Sequence, residues 1–450
     1  PLEHVNEKSH RIMQCYKYFL TELKSKSEDE RKSLVNKILN TENKMLVVID
    51  LVEGEDDEQA IFDTLNTAGV RLSPAEIVKN ALFQKIIKVF GDKEQAIALY
   101  KNTWEKIFLS DEDTIKYWET ERLTGRLKRD NIEILLHCIA VIKEFYDPDK
   151  NILSELSKLY KKEIDKKNSK EKLTEFLNEI MKYANIYKEK ILAFDNNTLF
   201  SFDDSIERLF HILEILQIST FHPFILFIFK KYQNDESQIV KILSQLEKFI
   251  IKNMLTKTTE IKNYNKLCKE FIQDTSKLEN RVEEISEEKI VNGLQNISNK
   301  EASLILFWIE LHRRHEDSKY DTKELKYNYS LEHIMPQKWE EHWKDIPEKY
   351  KDDGSRMDEQ EARDDRNNKI YWIGNMTLLT SSLNSALRNY TFEKKMNGEG
   401  RKKGIRAYAD LSITRDDIVE PFEKGDKSWD ETKIKTRTKK LAGEIKQIWG

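Results

Sequence analysis

The sequence predicts a mainly α, multidomain protein: a helical array followed by a small C-terminal domain of a different pattern. Three observations carry that prediction. Only 13 Gly and 7 Pro stand among 450 residues, 35% of them charged, which favours long helices with solvated faces over tight turns. Apolar residues recur at three- and four-residue spacing through most of residues 96–316. That period gives way over residues 317–327, beyond which short β-like runs flank a highly charged stretch. The expected domains are residues 1–94, 95–318 and 319–450.

Residues 1–42 read as two helices, the second rich in Lys and Glu. Residues 45–52 are β-branched and apolar, hence a buried strand. An acidic stretch then leads into a helix ending near Asn66, followed by the loop Thr67-Ala68-Gly69-Val70-Arg71-Leu72. Ser73-Pro74-Ala75-Glu76 is a complete helix start: Ser73 caps, Pro74 fits the first helical position and Glu76 reaches back to the cap. Ile77, Ala81 and Leu82 form its apolar stripe, with Lys79 and Asn80 off it.

Residues 131–146, 206–231, 237–253 and 302–315 are amphipathic segments of a bundle or irregular array, with no fixed-period repeat. In the last domain, the stretch ending in E-H-I-M-P and residues 369–373 read as two short strands. Residues 344–368 between them are expected to be a charged surface excursion. Ser381 or Ser382 caps a helix through Leu383, Leu387 and Tyr390. Ile434, Leu441, Ile445 and Trp449 give the final helix one apolar face that packs back on this domain.

Composition excludes several classes. A net charge of -4 argues against a wholly basic DNA binder, so any nucleic-acid footprint is regional. Cys15, Cys138 and Cys268 lie far apart, which indicates neither a disulfide framework nor a zinc ribbon and fits a reducing, cytoplasmic location. The longest apolar run, residues 221–229, falls far short of the roughly 20 residues of a membrane span. No membrane partner is expected. The chain opens on proline, as a trimmed chain would.

Chemistry concentrates in Leu331-Glu332-His333-Ile334-Met335-Pro336-Gln337, then Ile373-Gly374-Asn375-Met376-Thr377-Leu378-Leu379, then Asn384. A carboxylate beside a histidine, followed by two asparagines nine positions apart, is the order of parts in a one-metal HNH nuclease. Phosphodiester hydrolysis needs an activated water and a hard cation held by oxygen ligands. His333 is the natural base, while Glu332 and Asn384 offer oxygens to magnesium or manganese. Neighbours on a regular strand point to opposite faces, so Glu332 and His333 share one site only where the strand ends or bulges, as Pro336 permits. Asn375 is expected to pin the returning loop.

Asn384 sits in a first helical turn, where a phosphate is welcome, and Arg388 lies one turn on. Lys394, Lys395, Arg401 and Lys402, with Lys403 and Arg406, form a basic run. Residues 391–450 hold 15 Lys/Arg against 11 Asp/Glu, the direction expected of a face for double-stranded DNA. His312 and His315 beside Glu316 have no further ligand close by, so a solvated helix end is favoured over a metal site there.

Residues 320–450 resemble the HNH domain that forms the C-terminal half of GmrSD-type modification-dependent restriction enzymes and related phage-defence proteins. The matching strings are E-H-I-M-P-Q, I-G-N-M-T-L-L and L-N-S, with Asn389, Phe392, Lys394 and the I-x-x-R-x-x-x-L of Ile434 to Leu441. The resemblance implies a ββα-metal unit with Glu332 and Asn384 on the metal, His333 as base and Asn375 holding the loop. It also implies modified phage DNA as the target. Residues 61–72, with Ile77-Val78-Lys79-Asn80, resemble the later part of the ParB-like nucleotide-hydrolysing domain fused to such nucleases. Asn66, Lys79 and Asn80 then either line a nucleotide pocket or serve as a loop cap and a solvated helix face. The family's D-G-Q-Q-R motif is absent, so NTP is a cofactor only where that motif is supplied from a missing N-terminal NTPase part. A homo-oligomer is equally open.

Two rivals stand beside the nuclease. One is a catalytically silent HNH fold that docks on DNA or a partner. The other is an NTP-sensing switch in which the helical middle relays the signal.

Overall fold

A computed structural model describes residues 11–39, 72–124, 127–282, 284–351, 353–387 and 389–450. The expected strand at 45–52, the loop at 67–71, Asn66 and Arg388 lie outside the described residues. The chain divides into two compact units, Pro1–Leu72 and Ser73–Gly450. In the first, α1 (Arg11–Ser25) and α2 (Glu28–Leu39) are separated by a reciprocal cap. The Ser27 amide donates to the Glu30 carboxylate at 2.8 Å, and the Glu30 amide returns to Ser27 Oγ at 3.3 Å.

The second unit opens on α3 (Pro74–Phe90), started by the Ser73–Glu76 box and ended by Gly91 at φ 64°. Its buried face is Ala75, Val78, Leu82 and Ile86, rotated from the stripe expected through Ile77 and Ala81. Packing chose the face: α3 lies on two later helices, Leu156–Asp165 and Lys170–Lys190, and both of its candidate stripes are apolar enough to serve.

After α4 (Lys93–Tyr100) comes a hairpin, β1 (Glu121–Thr124) with β2 (Leu127–Asp130), which the helical period did not announce. The array continues through α5 (Asn131–Ile142), α6 (Leu156–Asp165), α7 (Lys170–Lys190), β3 (Leu199–Ser201), α8 (Ser205–Leu216), α9 (His222–Lys231), α10 (Glu236–Thr256) and α11 (Tyr264–Gln273). The single segment read over 206–231 is two helices. Gln217 turns left-handed at φ 58°, and Pro223, which lacks an N–H, fits only the first turn of the next helix. No helix among the described residues is long and apolar enough to cross a membrane.

α12 (Asn299–Glu316) is buried almost all round. On one side Trp308 Nε1 donates to His211 Nδ1 of α8 at 3.2 Å; on the other it packs on two short strands. β4 (Glu324–Lys326) returns to pair with β3, and the chain enters β5 (Ser330–His333). The strand expected at 369–373 is instead the end of α13 (Glu359–Lys369) and a tight turn, Ile373–Asn375. β6 (Met376–Leu379) then runs antiparallel to β5, with Glu332 opposite Thr377 and His333 opposite Met376. α14 (Ser381–Leu387) follows at once, so Ser381 and Ser382 are helical and Tyr390 lies beyond.

α15 (Phe392–Asn397) and α16 (Glu431–Trp449) complete the described elements used below. The strand pair is held between two cores. Met376 and Leu378 join the large core of the array, whereas Ile334, Met335 and Leu379 join a second one with Trp339, Phe422 and Trp429.

Candidate active site

The site is built where β5 ends. Ile334 N still donates to Asn375 O at 2.9 Å, but Met335 N turns to the side-chain Oδ1 of Asn375, also at 2.9 Å. Asn375 Nδ2 donates back to Met335 O (2.8 Å) and to Ile370 O (2.9 Å), and Trp429 Nε1 donates to Oδ1 (3.1 Å). The amide is saturated and buried, so Asn375 ties three chain segments together and presents no polar atom to a ligand. Gly374 beside it admits α16. A Cβ there would stand 2.1 Å from Ile434 O, and the Gly374 amide instead donates to Thr438 Oγ1 at 3.2 Å.

His333 is the last residue of β5, its ring edge-on to Tyr371 with centroids 6.4 Å apart. Its Nε2 is fully buried and has no hydrogen-bond partner among the described residues. Burial, and then the nearby Lys395 ammonium, lowers the imidazole to about 4. The ring is therefore a neutral base at pH 7.

Glu332 is mostly buried, and burial raises its carboxyl while Lys395 partly offsets that rise. Lys395 donates to Glu332 Oε1 and, at 2.8 Å, to His333 O. Asn384 on α14 commits both amide hydrogens to β5, to Ser330 Oγ at 2.8 Å and Leu331 O at 2.9 Å. That orientation leaves its Oδ1 without a donor among the described residues. Strand end and helix thus bring Glu332, His333 and Asn384 to one short sheet and the helix that follows it.

The oxygens of Glu332 and Asn384 are the hard donors that magnesium or manganese prefers, and the unpartnered His333 beside them suits a water. Among the described residues no group of three or more His, Cys, Asp or Glu side chains could hold a metal. A site built on one carboxylate and one amide would not form such a group.

Lys395 corrects an expectation. Its place in the basic run predicts a DNA-facing side chain, but it is 0% exposed, with its ammonium spent on Glu332 and His333. The reason was visible in helical spacing: it stands three residues after buried Phe392 and beside buried Met396. Its neighbour Lys394 is exposed and pairs with Glu399 at 2.8 Å. Arg401 is exposed and Lys402 lies in the adjoining hairpin.

Lys79 and Asn80 are far from this site in sequence, half-buried on α3. Lys79 lines a cleft of ≈ 290 Å³ with Trp104, Trp118 and the carboxylates of Glu76, Glu119 and Asp130. Arg437, whose guanidinium donates to Gly374 O (3.0 Å) and Met376 O, was missed as part of the site. Only the I-x-x-R-x-x-x-L string pointed to it.

No curated protein matches the chain. Residues 279–444, which hold the whole strand–turn–helix constellation, match the family model of GmrSD restriction endonucleases, C-terminal domain, and this match supports a GmrSD-type restriction protein.

Proposed function

We propose that the chain is a metal-dependent HNH endonuclease of a modification-dependent restriction or phage-defence system. It hydrolyses phosphodiester bonds of double-stranded DNA in the cytoplasm. The observation that carries this reading is the joint placement of Glu332, His333 and Asn384 on β5 and α14, inside the matched residues. On this reading residues 319–450 are a ββα-metal domain, 95–318 a helical domain and 1–94 the later part of a ParB-like NTPase-type domain.

Glu332 and Asn384 would hold magnesium or manganese, which supplies charge neutralisation at the phosphate and at the leaving oxygen. His333 takes a proton from water at Nδ1, because Nε2 is enclosed. Its lowered basicity leaves the ring unprotonated at neutral pH, the form a base needs. Asn375 fixes the turn that aims the ring. Arg388, Lys394, Arg401 and Lys402 contact phosphates outside the cleavage point, and Arg401 and Lys394 are exposed as that role requires.

The test is cleavage of plasmid DNA, with and without modified bases, by purified protein in magnesium or manganese. Products with 5′-phosphate and 3′-hydroxyl ends are expected. His333→Ala should slow cleavage by about 10²–10⁴-fold; an unchanged rate sinks the assignment.

One observation favours a second reading, a silent HNH fold that only binds DNA. An ammonium, Lys395, stands on Glu332. That reading expects salt-sensitive DNA retention and no product with either metal.

A further inference from the structure

The I-x-x-R-x-x-x-L string of α16 has no part in the chemistry above, yet its arginine reaches the site. Arg437 is buried. It donates to the carbonyls of Gly374 and Met376, to Ile413 O at 2.8 Å, and to Asp417 Oδ2 at 3.2 Å. Met376 is the residue opposite His333 in the strand pair. The Asp417 side chain is 1% exposed and receives a second guanidinium: Arg313 of α12 donates to its two oxygens at 3.2 and 3.0 Å. The same Arg313 also forks onto Glu444 of α16 at 3.0 and 2.8 Å. Burial would raise the Asp417 carboxyl, but Arg437 and Arg313, with Lys440 on its other oxygen, overcome it and hold it near 2, so the bridge is ionised.

A pair of four-residue strands has little stability of its own, so its geometry is imposed by what grips it. The grip here leads in three steps from α12, the helix seated on α8 of the array, to the carbonyls behind His333. We propose that Arg313 is a positioning residue of the candidate nuclease site, through which the helical array sets the geometry of the strands carrying Glu332 and His333. The proposal rests on the nuclease reading of that site.

Arg313→Gln keeps a polar side chain but shortens it and removes the charge. It is expected to lower kcat on plasmid DNA by about 10–100-fold while KM for DNA stays within about twofold, because misplacement of reacting groups costs rate and not capture. Arg313→Lys, which returns a cation to Asp417, should recover part of the loss. A folded Arg313→Gln protein with kcat within about twofold of the unsubstituted chain overturns the proposal. Amide hydrogen exchange over residues 330–335 and 374–379 gives the readout that needs no cleavage. Faster exchange there in either variant supports the coupling; unchanged exchange overturns it. Should Arg313→Gln fail to fold, Arg313→Lys carries that comparison. If the unsubstituted chain cuts no DNA, the nuclease reading falls, while the exchange data still decide whether α12 controls the strands.

Discussion

The helical array and the C-terminal region bury different things. Between α3 and α11 the buried set is overwhelmingly apolar: Leu82, Leu135, Tyr160, Leu177, Phe224 and Leu246 are typical, and Arg208 with Glu247 is an exception. From α12 onward, four cations are buried instead among the described residues: Arg314, Arg366, Lys395 and Arg437. Each bridges a carboxylate and at least one backbone carbonyl. Arg314 joins Glu310 to Thr322 O and Asp410 O; Arg366 joins Glu431 to Trp343 O and Asp345 O. Lys395 joins Glu332 to His333 O, and Arg437 joins Asp417 to Gly374 O, Met376 O and Ile413 O. Long helices satisfy their own backbone and need only an apolar face. Strands of four residues and irregular turns leave carbonyls that some buried donor must meet. The difference teaches that the candidate site is positioned by ions, where the array is positioned by packing. Arg208 follows the same rule, since its second partner is Phe202 O, next to the short strand β3.

The sharpest way to break that comparison is to remove a cation and ask what restores stability. Arg366→Ala leaves Glu431 with Lys349, at 3.0 Å, as its remaining cationic partner. It should cost about 3–5 kcal/mol in chemical denaturation. Leu246→Ala in the array should cost about 2–5 kcal/mol through its cavity. The two differ in rescue. Replacing Arg366 by Met together with Glu431 by Leu removes both charges but strands the Trp343 and Asp345 carbonyls, so recovery should be partial. Full recovery would mean that the carbonyls are not what the cation is for.

This contrast also decides how much was legible in the sequence. The Ser73 box was readable because its parts lie within four residues and their chemistry is local. The amphipathic segments were readable because helical burial leaves a period. α13 was not, since only Ala362 and Arg366 are buried on it, and its one signal was the Asp358–Glu361 box that starts it. The second strand was placed too early because the buried residues Ile370, Trp372 and Ile373 precede it, and the Asn375 hydrogen bonds that force a turn there are non-local. Glu332, His333 and Asn384 were found through residue type and order. The partners of Arg437 and Lys395 lie across 61–63 positions, which no spacing encodes, although the spacing from Phe392 marks Lys395 as inward-facing.

A smaller effect separates the regions by acid. His137 and His211 are held near 3 and His222 near 4, each chiefly by burial, and all three lie in the array; in the C-terminal region His333 lies near 4. All are lowered, so the unfolded chain binds more protons once pH drops below the ordinary histidine value of about 6.5. Their contribution is fully present above that value and is lost as pH falls towards the folded values. The thermal midpoint should therefore decline between about pH 6.5 and 5, above the range of ordinary carboxylates. His211→Phe, which strands Trp308 Nε1, should lower the midpoint at pH 7 but make the decline shallower. A midpoint flat across that window would show that the buried histidines are not neutral in the fold.

The smallest effect tests the exposed rim against the buried site. Arg401 is exposed, and Arg401→Ala should leave the thermal midpoint unchanged, since surface substitutions away from caps and buried pairs stay within about 0.5 kcal/mol. What should move is DNA retention: weaker alike for every sequence, with the slope of log affinity against log salt reduced by about one phosphate contact. Lys395→Ala makes the opposite pairing, a lower midpoint because Glu332 and His333 O lose their buried partner. The sequence presented the two cations as one basic run, and their side chains occupy opposite environments. If Arg401→Ala leaves the salt slope untouched, the hairpin is a solvated loop. The DNA face must then be sought nearer Tyr371, the exposed ring that already stands against His333.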